Sequence, residues 1–384
     1  MRKLGALDVN GKPGPMVETK STPSGDSNTP SGFTFLGQFI DHDITLDTPA
    51  MGDQIPNGRT PNLDLDCVYG GGRDASPHLY QRRAKKVKMV INGVEKEVDA
   101  SNRGLQPAEG TRYSDTRCDL QHSRTYQQDA GTAIIGNPRN DENAIVSQIQ
   151  FSMIKFHNSL VDHYIEVHGK KLNKLAPAEA EEIFEKVRDH VTHYYHKEIL
   201  EEFLPGLIGK HMVVKIATEG RRYYYKGGFF DHPNACILAS FMPVEFSVAA
   251  YRFGHSQVRQ SYQMRGGYFA VDLFDPGNMK GGLRGFQPIS QGAPDRLPLF
   301  LRFLQDAEAD HHRKTQKPTI TDGQRHNYGP VKTPFAWQPA RKIDTRLTEH
   351  LFVLHQVGVV DVDGLGSLAS RNLNRGRVFR LPSG

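Results

Sequence analysis

Cysteine is one of the scarcer residues in this chain, with three among 384 residues. Cys67, Cys118 and Cys236 form an odd set at wide spacing, so the sequence predicts no disulfide framework. The net charge of +5 is spread along the chain, without a basic tract that alternates with aromatic residues. Nucleic acid is therefore not an expected partner. Hydrophobic residues make up 37% and charged residues 24%, which is ordinary for a globular protein with a sizeable core.

A long uninterrupted apolar run is also absent from the sequence. The most apolar window, residues 236–253, contains Pro243, Glu245 and Arg252, so we expect a buried core helix there rather than a membrane span. Met-Arg-Lys at the start is followed by Gly, Asp, Asn and Pro instead of an apolar segment, so no signal peptide is visible. As written, the sequence indicates a cytoplasmic location, and it leaves export undecided.

Helical periodicity dominates the rest of the chain. Residues 1–32 are rich in Gly, Pro, Ser and Thr and predict an irregular N-terminal arm, whereas the polar stretch 51–130 predicts long loops. Apolar positions that recur every three to four residues predict helices over 145–164 and 178–203. The best β-hairpin candidate is 211–228. Three further segments are predicted as short helices: 296–304, 344–358 and 366–375. The predicted class is mainly α, with at most a short β-hairpin.

Residues 36–47, LGQFIDHDITLD, place four polar side chains among apolar neighbours. In a helix, Gln38, Asp41 and His42 share one face, because they stand at positions i, i+3 and i+4, while Asp43 points elsewhere. A neutral imidazole near pH 7 can take a proton from a substrate hydroxyl and return it to a leaving oxygen. A purely structural histidine is the alternative.

Two later segments carry further candidates. Asn140-Asp141-Glu142 is suited to cap the helix predicted at 145–164, which places Arg139 beside its first turn. An arginine in a cavity near His42 would stabilise negative charge on a departing oxygen, although a solvated arginine in a capping loop is the simpler interpretation. His255 ends an apolar segment, so it is either a core histidine bonded to backbone or a metal ligand.

Oxygen-bearing side chains recur at every second position of TPNLDLD, residues 60–66. Carboxylate, hydroxyl and carbonyl oxygens suit Ca²⁺, but the spacing does not match an EF-hand loop. A zinc site is the rival metal hypothesis, since His190, His193 and His196 recur at i+3. The glutamate of an H-E-x-x-H motif is missing there, so an amphipathic helix surface is favoured.

In this order, the motifs GQFIDHD, TPNLDLDCVYG, GNPRNDEN with FHNSLVDHY, YRFGH and RNLNRGR resemble those of the animal-type heme peroxidases, the peroxidase–cyclooxygenase superfamily. The version found here resembles bacterial members. The resemblance implies a multi-helix heme peroxidase fold with long loops and a catalytic domain over 33–384. Family members usually continue through more helices beyond this point, so the domain is expected to be minimal or to lack C-terminal helices. Secretion is common in the family.

The resemblance implies roles on the peroxide side of a heme. His42 matches the distal histidine, Arg139 the distal arginine, and Gln38 the residue that helps to hold water or halide. Asp41 and Glu142 match two carboxylates that form ester bonds to heme methyl groups in mammalian members, so heme b is the implied cofactor with ester linkage left open.

On the opposite side, His255 matches the proximal iron ligand, Arg252 would pair with a heme propionate, and Asn372 would accept a hydrogen bond from the proximal imidazole. A second implied cofactor is Ca²⁺. Its implied ligands are Asp43, Thr60, Asn62 through its carbonyl, Asp64 and Asp66.

The implied activity is reduction of hydrogen peroxide through a ferryl intermediate, with oxidation of a small donor such as a halide or a phenol. Asn143 stands where myeloperoxidase has the methionine of its sulfonium link, so that bond should be absent. The cyclooxygenase branch has a tyrosine where this chain has Arg252, with Tyr251 one residue away, which disfavours a fatty-acid radical mechanism. A fatty-acid oxygenase and a non-catalytic adhesion module are the alternative functions.

Overall fold

The fold was analysed in a computed structural model. It describes residues 14–18, 23–48, 56–91, 94–107, 133–171, 174–220, 241–264, 270–274, 282–285, 338–352 and 367–381, with the backbone alone for 81–107. The helix predicted at 296–304 lies outside these residues.

Helices form most of the regular structure, as the sequence predicts. The α-helices are α1 (Ser31–Ile44), α2 (Asp66–Tyr69), α3 (Gly72–Ala75), α4 (Ala144–Val167), α5 (Pro177–Glu198), α6 (Leu204–Ile208), α7 (Lys210–Glu219), α8 (Val244–Val248) and α9 (Leu368–Val378). A π-helix, Ile199–Phe203, continues α5. The 3₁₀ helices are Pro23–Gly25, Pro77–Leu79, Pro138–Asp141, Ala250–Gln257 and Glu349–Phe352. Among the residues described, no helix is both long and apolar enough to cross a membrane.

The main hydrophobic core lies between α1, α4 and α5. Phe39 of α1, Ile154 of α4 and Phe184 and Val187 of α5 are buried in one cluster. Each such side chain contributes about 1.5–3 kcal/mol when removed from water. Periodicity therefore predicted α4 and α5 correctly, because their apolar stripes are the faces that meet in the core.

The N-cap of α4, Asn143, lies one residue beyond the predicted cap residues 140–142. Asn143 is the N-cap, and its Oδ1 accepts hydrogen bonds from the backbone N–H groups of Ile145 at 3.1 Å and Val146 at 2.9 Å. The expected cap residues instead belong to the 3₁₀ helix Pro138–Asp141, or follow it directly. This helix is capped by Asn137, whose Oδ1 accepts from the Arg139 N–H.

Among the residues that the structure describes, eight strands form four pairs, two of which tie the N-terminal arm to residues 339–348. The strands are β1 (Val17–Glu18), β2 (Asp26–Pro30), β3 (Tyr80–Ile91), β4 (Val94–Pro107), β5 (Ser261–Gln263), β6 (Ala270–Asp272), β7 (Pro339–Arg341) and β8 (Leu347–Thr348). Pairing joins β1 with β8 in parallel, and β2 with β7, β3 with β4 and β5 with β6 in antiparallel fashion. The prediction of a wholly irregular arm over 1–32 is wrong for β1 and β2.

The predicted position of the β-hairpin is wrong. Residues 210–219 form α7, and Met212, Val213 and Ile216 have helical rather than alternating spacing. Gly209 and Gly220, both with positive φ, flank this helix, as expected of glycine at helix ends. The hairpin is β3–β4, inside the segment expected as loops. Residues 221–228 of the predicted hairpin are outside the described structure.

The buried core helix expected at 236–253 is also wrong where the structure describes it. Pro243 precedes the short helix α8, which gives way to the 3₁₀ helix Ala250–Gln257. Phe241, Val244 and Phe246 are 36–44% exposed.

Of the two helices predicted near the C-terminus, the one at 366–375 is confirmed by α9. In the segment 344–358, the described residues form β8 and the 3₁₀ helix Glu349–Phe352 instead of one α-helix.

Candidate active site

One cavity of about 310 Å³ brings together most of the predicted site residues. Its volume lies at the lower end of the usual range for ligand-binding cavities. The predicted residues in its wall are Gln38, Asp41, His42, Arg139, Glu142, Arg252, His255 and Asn372. The first three belong to α1, and Arg139 and Glu142 belong to or directly follow the 3₁₀ helix Pro138–Asp141. Arg252 and His255 belong to the 3₁₀ helix Ala250–Gln257, and Asn372 belongs to α9. The cavity therefore gathers predicted residues that are up to 334 positions apart, from 38 to 372.

The helix α1 divides its polar side chains between two sides, as its spacing predicts. Gln38, Asp41 and His42 face the cavity. Asp43 points away, and its carboxylate accepts hydrogen bonds from the backbone N–H groups of Leu65 at 3.2 Å and Cys67 at 3.3 Å. Burial raises the pKa of Asp43 to about 6.

The imidazole of His42 is buried and held by one side chain. Its Nδ1 lies 2.7 Å from the amide oxygen of Asn140, and the Asn140 Nδ2 donates a 2.7 Å hydrogen bond to Gln150 Oε1. Burial, and then the charge of Arg139, lower the pKa of His42 well below its ordinary value. The ring is therefore neutral at pH 7, the state in which an imidazole can accept a proton.

Arg139 lies beside His42, but its guanidinium is engaged with the end of α1. Its Nη2 donates to the carbonyl oxygens of His42, at 3.4 Å, and Thr45. Its Nη1 is 3.9 Å from the Asp41 carboxylate. A cation at a helix C-terminus is favourable because the last carbonyls carry partial negative charge. Asn137 also donates to the His42 carbonyl at 2.8 Å, so the 137–139 turn fixes the backbone of the histidine.

The two carboxylates of the cavity have different partners. Asp41 Oδ2 accepts a hydrogen bond from Arg252 Nη1 at 3.1 Å, whereas Glu142 Oε2 accepts from Gln38 Nε2 at 2.8 Å. Burial raises the pKa of both groups, and the nearby arginines oppose that shift. The predicted partner of Arg252 was a heme propionate; in this structure the guanidinium pairs with Asp41.

His255 lines the same cavity from the 3₁₀ helix Ala250–Gln257. Burial, followed by the charge of Arg252, lowers the pKa of His255 to about 3, so its ring is neutral. Its Nδ1 is 2.8 Å from Asn372 Nδ2. With this amide orientation Asn372 would donate rather than accept, and turning the amide over gives the predicted arrangement.

A hydrogen bond spans the two sides of the cavity. The hydroxyl of Tyr251 donates to the carbonyl oxygen of Gly37 at 3.1 Å. Tyr251 belongs to the segment of His255, and Gly37 belongs to the helix of His42. The contact therefore holds the two histidine-bearing elements at a fixed separation.

The predicted calcium residues lie on the far side of α1. Thr60 Oγ1 donates to Asp64 Oδ2, while Asp64 Oδ1 is buried without a hydrogen-bond partner. Burial and the charge of Asp64 raise the pKa of Asp66. Leu63 and Leu65 have φ of 57° and 61°, a strained region for leucine. In the described part of the chain, the His, Cys, Asp and Glu side chains, those of Asp43, Asp64 and Asp66 included, form no ready-made metal-binding group of three or more.

The histidines of the rival zinc hypothesis lie on the surface of α5. His193 Nδ1 contacts the Asp189 carbonyl at 2.7 Å, and His196 Nε2 contacts the Leu63 carbonyl at 2.8 Å. Both rings thus have backbone partners, which supports the helix-surface interpretation.

Sequence reasoning missed four residues that hold the site together: Asn137, Asn140, Thr45 and Gln150. The two asparagines flank Arg139 in the sequence NPRN, which was a usable signal. The contact of Asn140 with His42 joins residues 98 positions apart, and no local periodicity reveals it.

The fold and the cavity together define a helical protein with two neutral histidines, the buried His42 and the half-buried His255, facing one ligand-sized space. A model of the family described as animal haem peroxidase matches residues 47–383. The chain therefore belongs to the animal haem peroxidase family. The matched range begins after α1, so Gln38, Asp41 and His42 lie before it.

Individual relatives are distant. A peroxidase-like protein of Margaritifera margaritifera is 22% identical over 352 residues, covering 80% of this chain and 41% of that protein. The chorion peroxidase of Drosophila melanogaster is 24% identical over 228 residues, covering 57% of this chain and 24% of that protein. The chain thus spans less than half the length of these curated relatives.

Among solved structures, peroxidase A from Dictyostelium discoideum superposes with a TM-score of 0.52 at 16% identity. The match covers 96% of this chain and 66% of that one. At this identity the likeness shows the fold alone, which is that of the peroxidase–cyclooxygenase superfamily.

Proposed function

We propose that this chain is a heme-dependent peroxidase that reduces hydrogen peroxide and oxidises a small donor, such as a halide or a phenol. The observation that carries the proposal is the shared cavity of His42 and His255. Two neutral imidazoles from separate elements line it, and family membership implies heme as the cofactor.

The residues present fit a heme. A neutral imidazole is the form that binds iron, and His255 is held neutral by its surroundings. Arg371 and Arg375 of α9 add positive charge to the cavity wall, which suits the acidic groups of a porphyrin. Heme bound there would supply the redox chemistry of peroxide reduction, while the protein supplies orientation and electrostatics.

In the proposed reaction, His42 Nε2 takes a proton from one oxygen of hydrogen peroxide and returns it to the other, so that the O–O bond breaks and the second oxygen leaves as water. Bound heme would supply the two electrons of this reduction, and the oxidised donor would return them. Arg139 stabilises the negative charge on that departing oxygen, and Gln38 orients the peroxide or a water beside it. The low pKa of His42 supports this role, because the base is already unprotonated at neutral pH.

Asp41 and Glu142 are the proposed sites of ester linkage to the heme. Both carboxylates are buried in the cavity wall, which supports contact with a flat ligand. Asn143 cannot form a sulfonium bond because it has no sulfur, so we propose at most two covalent links.

We also propose that Asp43, Thr60, Asn62, Asp64 and Asp66 bind Ca²⁺. The unpartnered buried oxygen of Asp64 supports this proposal, because buried polar atoms normally have partners. Calcium bound there would act on catalysis indirectly, since Asp43 belongs to the same helix as His42.

The test is an absorbance titration of the purified full chain with hemin, followed by hydrogen peroxide. We expect a protein-dependent Soret band that shifts when peroxide is added. His255→Ala should abolish or strongly weaken the band, and His42→Ala should keep it but slow the peroxide reaction by about 10²–10⁴-fold.

His193→Ala is the matched control, because it removes an exposed histidine from the surface of α5. It should behave like the wild type in both measurements. Hemin that gives no protein-dependent band would overturn the proposal, as would equal behaviour of all three variants.

A further inference from the structure

We propose that Asn140 is a positioning residue that fixes the tautomer of His42, with the proton on Nδ1 and the lone pair of Nε2 facing the cavity. The inference deepens the proposed peroxidase function and rests on it. Its basis is a buried hydrogen-bond chain that runs from His42 through Asn140 to Gln150.

The first step is that the Asn140 side chain is wholly enclosed. Asn140 and Gln150 are both 0% exposed, so bulk water cannot exchange with either amide. An amide has one donating and one accepting end. Because Asn140 Nδ2 donates to Gln150 Oε1, the accepting Oδ1 is the end that meets His42 Nδ1.

The second step is that the Cys67 sulfur sets the direction of this chain. Burial raises the pKa of the Cys67 thiol, the Asp43 carboxylate raises it further, and the Asn140 side chain lowers it. A neighbour that lowers the pKa of a thiol is one that donates toward its sulfur, so Asn140 presents its Nδ2 to Cys67. Turning over the Asn140 and Gln150 amides together would still satisfy their mutual contact, but it would turn the accepting end of Asn140 toward that sulfur.

The third step is that the turn carrying Asn140 has little freedom. Its backbone N–H donates to the Asn137 carbonyl at 3.0 Å. Gly136 lies so close to Cys67 that an added Cβ would be 2.6 Å from its carbonyl oxygen. The packed turn therefore holds the amide of Asn140 in place against His42. A supporting residue that is fixed in this way can set the geometry of a catalytic residue.

The consequence concerns the direction of proton transfer. With Nδ1–H bonded to Asn140, the ring nitrogen free for the cavity is an acceptor, as a base must be. The opposite tautomer would present an N–H to the peroxide and could not take its proton. Asn140 would therefore act on the rate through His42, without touching the peroxide.

The direct test measures the tautomer in the full chain labelled with ¹⁵N-histidine, first without and then with hemin. A long-range ¹H–¹⁵N spectrum distinguishes protonated from unprotonated ring nitrogens, and comparison with His42→Gln assigns the His42 signals. We expect Nδ1–H in the wild type and a mixture or reversal in Asn140→Leu. Nε2–H in the wild type would overturn the proposal, whether or not heme binds.

The kinetic test uses the heme-loaded chain and stopped-flow mixing with hydrogen peroxide between pH 4 and 8. Asn140→Leu should lower the rate constant by about 10–100-fold, the usual cost of losing a supporting hydrogen bond. Asn140→Asp keeps an acceptor but adds negative charge, so the acid limb of the profile should move upward by about 1–3 pH units.

Asn158→Leu is the matched control, since it removes another buried amide, from α4 and outside the cavity wall. It should lower the melting temperature without moving the pH profile or the His42 signals. Rates and profiles for both Asn140 variants equal to the wild type would overturn the inference while leaving the peroxidase function intact. A chain that binds no heme would overturn the function, and the tautomer measurement would still decide the role of Asn140.

Discussion

The Tyr251 hydroxyl donates a hydrogen bond to the Gly37 carbonyl at 3.1 Å, and this contact joins the two walls of the cavity. One wall carries His42 and the other carries His255. The elements that carry the two imidazoles are therefore joined by a tyrosine hydroxyl.

Tyr251→Phe is expected to remove this link while keeping the aromatic ring. The stability lost should be about 0.5–1.5 kcal/mol, the net value of one hydrogen bond, measured by urea unfolding with tryptophan and tyrosine fluorescence. Heme binding and peroxide reactivity should remain within about two-fold of the wild type, because transition-state chemistry does not use this hydroxyl. Tyr164→Phe, which loses a contact with Lys186 at the surface, is the control and should change neither stability nor activity.

The pH dependence of the peroxide reaction should follow His42. Its pKa is lowered well below 6.5 by burial and by Arg139, so the neutral base persists as the pH falls through 6.5. The second-order rate constant should therefore be level between pH 6 and 8 and fall only through the lowered pKa in more acidic solution. Stopped-flow pH jumps on the heme-loaded chain would measure it, and a midpoint at or above 6.5 contradicts the prediction.

The lowered pKa of His42 also makes the stability of the folded chain depend on pH, because the pKa is lowered only in the folded state. In the unfolded chain His42 titrates near its ordinary value, while in the folded chain it stays neutral to lower pH. Below pH 6.5 the unfolded state therefore binds more protons, so His42 reduces stability as the pH falls. In urea unfolding between pH 7 and 5, His42→Gln should show a shallower loss of stability than the wild type.

Local sequence patterns predicted the long helices, because the spacing of apolar residues along one segment is enough to identify them. The helices α4 and α5 bury apolar stripes with a 3.6-residue period, and that period is visible in the sequence. The prediction of a β-hairpin at 211–228 was wrong over 211–219, because the β-branched residues there favour a strand. The spacing of the apolar residues and the flanking glycines are nevertheless compatible with a helix.

The sequence predicted which residues line the cavity, but it did not predict which of them contact one another. The polar face of α1 followed from i, i+3, i+4 spacing, and Arg139 and His255 were candidates from their own segments. The roles of Glu142, Arg252 and Asn372 followed from a family resemblance. The pairing of Arg252 with Asp41 and of Asn140 with His42 joins residues 211 and 98 positions apart. Such contacts arise from tertiary packing, which no single segment specifies.

Calcium is expected to stabilise the chain through the residues around Asp64. At a free Ca²⁺ concentration of 100 times the dissociation constant, binding should add about 2.7 kcal/mol, seen as a higher melting temperature that EGTA reverses. Asp64→Ala should abolish this calcium-dependent shift. Asp162→Ala, an exposed aspartate on α4, should retain it. Equal calcium responses in the two variants would rule out Asp64 as a ligand.

Asn143 is expected to have two separable roles, as the N-cap of α4 and as a partner of Gln38. Its Oδ1 accepts from two backbone N–H groups, and its Nδ2 donates to Gln38 Oε1 at 3.1 Å. Asn143→Ala loses both roles and should cost about 0.5–2 kcal/mol of stability. Asn143→Asp keeps the cap acceptor, which also suits the positive end of the helix dipole, but it cannot donate to Gln38.

The two Asn143 variants should therefore separate stability from reactivity. In urea unfolding, Asn143→Asp should lie closer to the wild type than Asn143→Ala does. In the peroxide reaction of the heme-loaded chain, both should be slowed alike, because Gln38 has lost the same donor and is held only through Glu142. If Asn143→Asp were as unstable as Asn143→Ala, the cap would not be the source of the stability. If it reacted like the wild type, Gln38 would need no support from Asn143.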